Sequence, residues 1–429
     1  MSKAKQAGRS DAGNSLYLDI DSSDVEAMVT KLGLIGQHGN TGVWRTAYSS
    51  VWVSAVDLLE RWFAERGLVT SRDAVGNLWG RVEGQLAGLD PVVSGSHVDS
   101  QCPGGRYDGA LGVIAALVAV DYLLRHFGQP RRPMEVVALC EEEGSRFPTA
   151  GFWGSRALAG RISAGDVEQI VDSDGISIGE AMRAVGLDPA QCDDARRDDL
   201  HAFVELHIEQ GPILEQADLP VGFVTGITGI RHTEVILTGE ANHAGAFPMD
   251  QRRDPMQGFA EIATRVVDHA HHLGRPAVTT VGRVHVAPNA PAIVPQRVAF
   301  TIDARHPNQS VFEAMHRTYA ALITEVAARR GLGVETRVLF NHDACPAAPH
   351  ILEAMRAAAV AEGIAGMDLH SGAGHDAQQM AGLCPVAMVF VRSHEGRSHT
   401  PEEFSSITDI VAGIQVLAGT LYRLAYTEK

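Results

Sequence analysis

Residues 91–140 have the sequence PVVSGSHVDSQCPGGRYDGALGVIAALVAVDYLLRHFGQPRRPMEVVALC. The aliphatic runs at 91–97 and 134–140 predict buried strands, and the apolar stretch 109–127 between them predicts a long helix. A strand–helix–strand order with aliphatic strands is typical of an α/β layer built on a largely parallel sheet. This stretch therefore decides the predicted fold class.

Carboxylates and imidazoles follow the ends of several predicted strands. Because the carboxyl ends of parallel strands share one edge of a sheet, such side chains meet in the crevice beyond that edge. The neighbouring acids of CEEEGSRF (140–147) repel one another and are costly to desolvate, so they need a balancing charge. Histidines mixed with carboxylates suit divalent zinc, manganese or cobalt. The candidate ligands are His97, Asp99, Asp108, Glu141, Glu142, Glu143, Glu205, His207, Glu209 and His399.

Each of these residues also has a structural explanation. Asp108 taken alone is most simply the N-cap of the helix that follows it, and a single acid at a strand end is commonly solvated. The metal hypothesis depends on all of the candidates lying at the strand ends of one sheet.

Length and composition limit the class of protein. A chain of 429 residues predicts two domains. The formal net charge of -16 argues against a nucleic acid as partner, because phosphate binding needs a basic surface. Five scattered cysteines without a C-x-x-C pair argue against a disulfide framework. The polar start of the chain and the lack of an apolar run of about 18 residues predict a cytoplasmic protein that does not enter a membrane.

The order of predicted elements divides the chain. Residues 1–15 are predicted to be a disordered tail. A strand–helix–strand–strand–helix–strand pattern predicts a ferredoxin-like α+β domain over 222–340. Residues 16–221 and 341–429 then form the metal-binding domain, with a central, mostly parallel mixed sheet flanked by helices, into which the smaller domain is inserted.

Five segments carry a resemblance to a known family: GSHVDSQCPGGRYDGALGV, CEEEGSRFP, FVELHIEQGPILE, GEANHAGAFPM and SGAGHDAQ…FVRSHEGRSHTPEE. In this order they resemble the dinuclear-metal amidohydrolases of the M20 peptidase clan. Within that clan, the chain is similar to the branch of N-carbamoyl-amino-acid amidohydrolases, ureidopropionases and allantoate amidohydrolases. The match extends from about residue 25 to the end of the chain.

The resemblance implies two divalent metal ions bridged by Asp108. Zinc is the first choice, with manganese, cobalt or nickel as alternatives. Asp99 would orient the ring of His97. Glu142 would act as a general base that takes a proton from the attacking water and later delivers it to the leaving nitrogen. The other implied metal ligands are His97, Glu143, His207 and His399.

The resemblance also implies residues that contact the substrate. His243, in the inserted domain, would polarise the scissile carbonyl in the active site of a neighbouring subunit, which implies a homodimer formed through these domains. Arg305 would hold the substrate carboxylate in a bidentate pair, although a salt-bridged arginine at a sheet edge would look the same in the sequence. Further implied contacts and supporting residues are Gln210, Asn289, Gly374, His375 and Asp376.

Two positions depart from the family pattern. Ala292 stands where an asparagine usually helps to bind the substrate carboxylate, and Asn289, three residues earlier, is a candidate replacement. Phe247 stands where a threonine is usual. Both changes predict a pocket that is more apolar than one built for allantoate.

The function that these expectations favour is hydrolysis of the ureido C–N bond of an N-carbamoyl amino acid or related ureido acid, with release of ammonia and carbon dioxide. Allantoate or ureidoglycolate is the alternative substrate, because HSGAGHDAQ favours that branch while DSQCPGGRYDG favours the carbamoyl branch. An aminoacylase or dipeptidase acting on an ordinary amide ranks lower. A metal-binding scaffold without catalysis would lack Glu142 or a ligand, and none is missing.

Overall fold

The structure of the protein is a computed structural model that describes residues 18–427. The predicted tail, 1–15, lies outside the described residues. The chain folds into two compact units. The first comprises the chain as far as Thr225, Ala347–Leu369 and the chain from His375 onward, and the second comprises Gly226–Pro346 and His370–Gly374.

Helices and strands alternate along most of the described chain. The α-helices are α1 (Ser22–Gly33), α2 (Ser50–Glu65), α3 (Ala110–Phe127), α4 (Trp153–Leu158), α5 (Ala164–Gln169), α6 (Ile178–Ala184), α7 (Ile213–Ala217), α8 (Pro255–Leu273), α9 (Gln309–Arg329), α10 (Pro349–Glu362), α11 (Asp376–Met380) and α12 (Ile407–Ala425). The strands are β1 (Gln37–His38), β2 (Gly42–Val43), β3 (Val69–Arg72), β4 (Leu78–Val82), β5 (Val92–His97), β6 (Met134–Leu139), β7 (Ala202–Ile208), β8 (Val221–Ile227), β9 (Gly229–Thr238), β10 (Asn242–His243), β11 (Val278–Ala287), β12 (Ile293–Val294), β13 (Arg297–His306), β14 (Gly333–His342), β15 (Cys345–Pro346), β16 (Gly366–Ser371) and β17 (Val386–Val391). Short 3-10 helices lie at Pro189–Ala195, Met249–Gln251 and His394–Gly396.

A large mixed sheet organises the first unit. Its strands follow the order β8-β17-β7-β5-β6-β4-β3, and β15 and β16 each pair with β8. The neighbours β17, β7, β5 and β6 are parallel, whereas the pairs nearer the edges are antiparallel. The predicted mixed α/β sheet is confirmed, but its parallel part is confined to four central strands. At one edge a short turn joins β3 to β4, and such a turn permits only antiparallel pairing.

Two apolar helices fill the core of this unit. The helices α3 and α12 are long and apolar enough to cross a membrane, but 78% and 67% of their most apolar windows are buried inside the fold. α3 packs against β5, β6 and β7, and α12 packs against α3, α10 and β17. The apolar stretch 109–127 therefore forms a core helix, as the sequence predicts.

The second unit has the predicted ferredoxin-like order of elements. Its antiparallel sheet has the strand order β11-β13-β9-β14. The helices α8 and α9 pack against this sheet around a buried core that includes Val235, Ile262, Phe300 and Ile323. This packing confirms the α+β architecture expected from the alternation of helical and strand patterns.

We expect Gly112→Ala to destabilise the first unit. A Cβ atom at Gly112 would lie 2.4 Å from the carbonyl oxygen of Leu206 and 2.6 Å from the Cβ of Ser96. Because α3 would have to move away from two central strands, the cost should be about 1–3 kcal/mol, measured as a lower Tm. Gly282→Ala is the control, because its Cβ would approach only the Thr301 hydroxyl, at 3.8 Å. Equal losses in both variants would contradict this explanation.

Candidate metal centre

The candidate ligands in the first unit meet at one edge of the large sheet. His97 is the last residue of β5, and His207 is the sixth of the seven residues of β7. Asp108 lies just before α3, and His399 lies on the loop that follows β17. The four central strands are parallel and end at the same edge, so residues distant in the sequence converge there.

Asp108 lies at the centre of this group. Its Oδ1 lies 3.4 Å from Nε2 of His97 and 3.2 Å from Nε2 of His207. Its Oδ2 lies 3.4 Å from Nε2 of His399. The two oxygens of one buried carboxylate thus face different histidines, which is the arrangement that a bridging ligand needs.

Asp108 does not cap α3. The N-cap residue is Gly109, and no side chain of the described residues caps this end of the helix. Gly109 has φ 63°, and a Cβ atom there would lie 2.3 Å from the ring of His97. Only glycine allows the backbone both this conformation and this close approach. The N-cap explanation of Asp108 is therefore wrong.

Glu142 and Glu143 enter the group from the loop after β6. Glu142 Oε2 lies 3.6 Å from Nε2 of His97, and Glu143 Oε2 lies 3.5 Å from Nε2 of His399. Gln101 donates a hydrogen bond of 2.8 Å to Glu143 Oε2, while Glu143 Oε1 is buried and accepts no hydrogen bond from residues 18–427. A buried carboxylate oxygen without a donor suits a metal ligand.

Asp99 holds the acidic loop. Its Oδ1 and Oδ2 accept the backbone N–H groups of Glu142 (3.2 Å) and Glu143 (3.1 Å). Nδ1 of His97 lies 3.1 Å from the backbone oxygen of Asp99 and 3.7 Å from its carboxylate. The backbone of Asp99 therefore orients the imidazole, and its side chain positions the two glutamates.

The electrostatics of the group favour bound positive charge. Burial raises the pKa of Glu142 well above its ordinary value and that of Glu143 to about 7. The hydrogen bond to Asp108 is the main cause that raises the pKa of His399 to about 9. Burial alone would lower the pKa of His97, but the surrounding carboxylates, led by Glu142, hold it well above its ordinary value. A cation among these side chains would replace the protons that otherwise balance the charge.

The donors fit two divalent cations. One set of ligand atoms, from His97, Asp108 and His207, lies within 4.8 Å, as does a second set from Asp108, Glu143 and His399. Both sets combine imidazole nitrogen with carboxylate oxygen, which suits zinc and related divalent ions.

Three other acids at the strand ends have hydrogen-bond partners of their own. Glu205 accepts hydrogen bonds from the Ser96 hydroxyl (2.6 Å) and the Ala377 N–H (3.1 Å). Glu209 accepts two N–H groups at the start of α7 (2.7 and 2.9 Å). Glu141 accepts the N–H of residue 147 at 2.8 Å. These contacts hold the three side chains in place.

Further predicted residues surround the group. Gln210 Nε2 donates to Asp108 Oδ2 at 2.9 Å. The rings of His375 and His207 are 4.6 Å apart, and burial lowers the pKa of His375 well below its ordinary value. Asp376 accepts a hydrogen bond of 2.5 Å from Ser155. Gln210 and His375 thus contact candidate metal ligands, whereas the hydrogen bond of Asp376 is to Ser155.

Four predicted residues belong to the second unit. Nδ1 of His243 accepts the backbone N–H groups of residues 245 and 246 at 3.0 and 3.1 Å, which places the proton of the neutral ring on Nε2. Arg305 Nη2 donates to Asp303 at 2.8 Å and Nη1 donates to the Gly372 carbonyl at 2.8 Å. Asn289 is exposed, with φ 58°, and Gly374 is half-buried.

The sequence reasoning assigned no role to three residues near the group. Gln101 contacts Glu143, and Ser398 donates to Asp108 Oδ2 at 2.7 Å. Glu403 accepts the backbone N–H of Asp108 at 3.0 Å. The segment SHTPEE already contains Ser398 and Glu403, but the pattern does not show which of its two acids turns inward.

Comparisons with known proteins agree with this geometry. A family model described as peptidase family M20/M25/M40 matches residues 94–423. An allantoate amidohydrolase of Escherichia coli (strain K12) is 38% identical over 94% of this chain and 98% of its own length. An N-carbamoyl-L-amino acid amidohydrolase of Geobacillus stearothermophilus is 39% identical over 93% of this chain and 97% of its own length. The crystal structure of a hydantoinase/carbamoylase family amidase from Burkholderia multivorans superposes with a TM-score of 0.85, at 36% identity, over 96% of this chain and 100% of that one.

Proposed function

Because the chain belongs to peptidase family M20/M25/M40, we propose that it is a metal-dependent amidohydrolase that cleaves the ureido C–N bond of an N-carbamoyl amino acid or related ureido acid. The products would be an amine, carbon dioxide and ammonia. The observation that carries this proposal is Asp108, which is shared by two sets of candidate ligands, with the Glu142 carboxylate buried beside them.

We assign the roles of the first unit from its contacts. Asp108 would be shared by two cations, with His97 and His207 on its Oδ1 side and Glu143 and His399 on its Oδ2 side. When bound, the cations would polarise the scissile carbonyl and supply a nucleophile at neutral pH. Zinc is our first choice, and manganese, cobalt and nickel are the alternatives.

Proton transfer is assigned to Glu142. Its carboxylate lies beside both sets of ligands and accepts none of the identified hydrogen bonds among residues 18–427. It would take a proton from the attacking water and return that proton to the leaving nitrogen. Gln101 and Asp99 would hold the neighbouring Glu143 in place.

We propose that the second unit acts as a lid and that two copies of the chain form a homodimer through it. The strand β14 lies at an edge of its sheet, with Val338 60% and Leu339 51% exposed. An exposed apolar edge strand favours pairing with another chain, and a second copy would bring His243 to a neighbouring active site. Arg305 would bind the substrate carboxylate after exchanging its contact with Asp303. Asn289 and Gly374 remain candidate contacts, and a cytoplasmic location is part of the same proposal.

We expect His243→Ala to lower kcat by about 10²–10³-fold without a change in metal content or Tm. Among residues 18–427 the identified hydrogen bonds of the exposed ring are to its own loop, so the fold should not depend on it. The ring proton on Nε2 would be lost as a donor to the developing oxyanion. Ammonia release and metal analysis measure the two effects, with His272→Ala on α8 as the control. Full activity of the His243 variant would remove its proposed role.

A substrate screen tests the proposed function. After reconstitution with each metal, ammonia release is measured on N-carbamoyl-L- and D-amino acids, ureidopropionate and allantoate, and amine release on N-acyl amino acids. We expect higher kcat/KM for N-carbamoyl amino acids with an aryl side chain than for allantoate, because Phe247 and Ala292 replace polar family residues. Equal rates would argue against the apolar pocket, and turnover of acyl amino acids alone would favour an aminoacylase.

Allantoate hydrolysis is the second candidate function. The relatives that act on allantoate and on N-carbamoyl amino acids match this chain equally well, at 38% and 39% identity. The same screen separates the two candidates, since a clear preference for allantoate would establish the second.

A further inference from the structure

A buried carboxylate ties together the two loops that carry Asp108 and His399. Glu403, whose exposed fraction is 4%, lies four residues after His399. Its Oε1 accepts the backbone N–H groups of Tyr107 at 2.9 Å and Asp108 at 3.0 Å. The side chain of one loop therefore satisfies two backbone donors of the other.

The hydroxyl of Ser398 completes a ring of contacts. It lies 2.7 Å from Oδ2 of Asp108 and 3.2 Å from Oε2 of Glu403. The side chain and the backbone of Asp108 are thus both held from the His399 loop. That loop is itself closed at its base, where the N–H of His394 donates to the carbonyl of Phe404 at 2.8 Å.

The Asp108 loop is shaped to fit this carboxylate. A Cβ atom at Gly105 would lie 2.2 Å from Oε1 of Glu403. The backbone of residues 105–108 therefore wraps closely around the Glu403 side chain. Neighbouring Glu402 is exposed, and its carboxylate contacts Thr400 within its own loop.

We propose that Glu403 is a positioning residue that fixes the His399 loop against Asp108 so that Asp108, Glu143 and His399 can bind one of the two cations. This inference rests on the proposed function, because it concerns the same metal centre. His97 and His207 belong to β5 and β7, whose places in the sheet do not depend on Glu403. The set that contains His399 should therefore depend on Glu403 more than the set that contains His97 and His207.

The test is a zinc titration of the full-length protein in competition with a chelator. We expect Glu403→Ala to lower the affinity for one of the two ions by about 10- to 100-fold, while the other ion stays bound. This is the usual effect of losing a residue that holds a metal ligand. Glu403→Gln should retain both ions, because its amide oxygen can accept the two N–H groups and its NH2 can donate to Ser398. Glu402→Ala, with the same loss of charge on the same loop, should match the wild type.

Several results would overturn the inference. If Glu403→Ala binds both ions as tightly as the wild type does, the hydrogen bonds from Glu403 to the Asp108 loop are not needed for metal binding. A loss in Glu403→Gln as large as in Glu403→Ala would show that charge, not hydrogen bonding, is what matters. Ser398→Ala removes a single hydroxyl and should lower the affinity for the same ion by a smaller factor. If the affinity for the other ion falls instead, the assignment is wrong. A wild-type protein that binds no zinc, cobalt or manganese would instead refute the proposed function itself.

Discussion

Glu142→Gln is expected to lower kcat by about 10²–10⁴-fold while the metal content stays the same. The amide has nearly the same shape as the carboxylate but cannot take up a proton. Glu142 Oε2 lies 3.6 Å from His97, and none of the identified hydrogen bonds among the described residues ends on its carboxylate. Its replacement therefore removes a base without removing any of these hydrogen bonds. Ammonia release and metal analysis on the same preparation separate the two quantities.

Glu141→Gln is the matched control for this experiment. Glu141 precedes Glu142 directly, and its carboxylate accepts the N–H of Phe147. Burial raises the pKa of Glu141 to about 8, and the amide oxygen of a glutamine can accept the same N–H. We expect the rate of this variant to stay near that of the wild type. A Glu142→Gln enzyme that retains its rate would show that another group takes the proton.

The predictable part of the fold has a simple physical origin. The aliphatic runs at 91–97 and 134–140 became β5 and β6 to within one residue, because strands buried on both faces need continuous apolar side chains. The alternation of elements gave the ferredoxin-like architecture of the second unit, and the ordered motifs indicated the family that the comparisons confirm. In contrast, two-residue strands such as β10 and β15 are too short to show a period.

The less predictable part consists of contacts between residues distant in the sequence. The hydrogen bond from the Asp108 backbone to Glu403 joins residues 295 positions apart. No local pattern indicates which acid of SHTPEE makes it. The pairing of Arg305 with Asp303 is different, because residues two apart on a strand point to the same face. The salt bridge that the sequence left open for this arginine is present in the structure, where Arg305 pairs with Asp303.

Asp108→Asn is expected to lower the affinity for both metal ions and to lower activity by more than about 100-fold. This loss is larger than the one that follows from removing a residue that holds a metal ligand without binding the metal itself. Asp108 belongs both to the set with His97 and His207 and to the set with Glu143 and His399. An asparagine keeps the volume of the side chain but turns one of the two acceptor oxygens into an NH2 group. The cation on one side would then face an NH2 group that cannot bind it, and the cation on the other side would keep only a neutral amide oxygen in place of a carboxylate oxygen, so both ions should bind more weakly.

The metal content per chain and the rate must both fall if this explanation is right. Glu209→Gln is the control, because Glu209 is a largely buried acid two residues after His207 whose side-chain hydrogen bonds within the described part of the chain go to the start of α7. That variant should bind both ions, with at most a small decrease in Tm. An Asp108→Asn protein that retains one ion at full affinity would show that the two sets do not share this carboxylate.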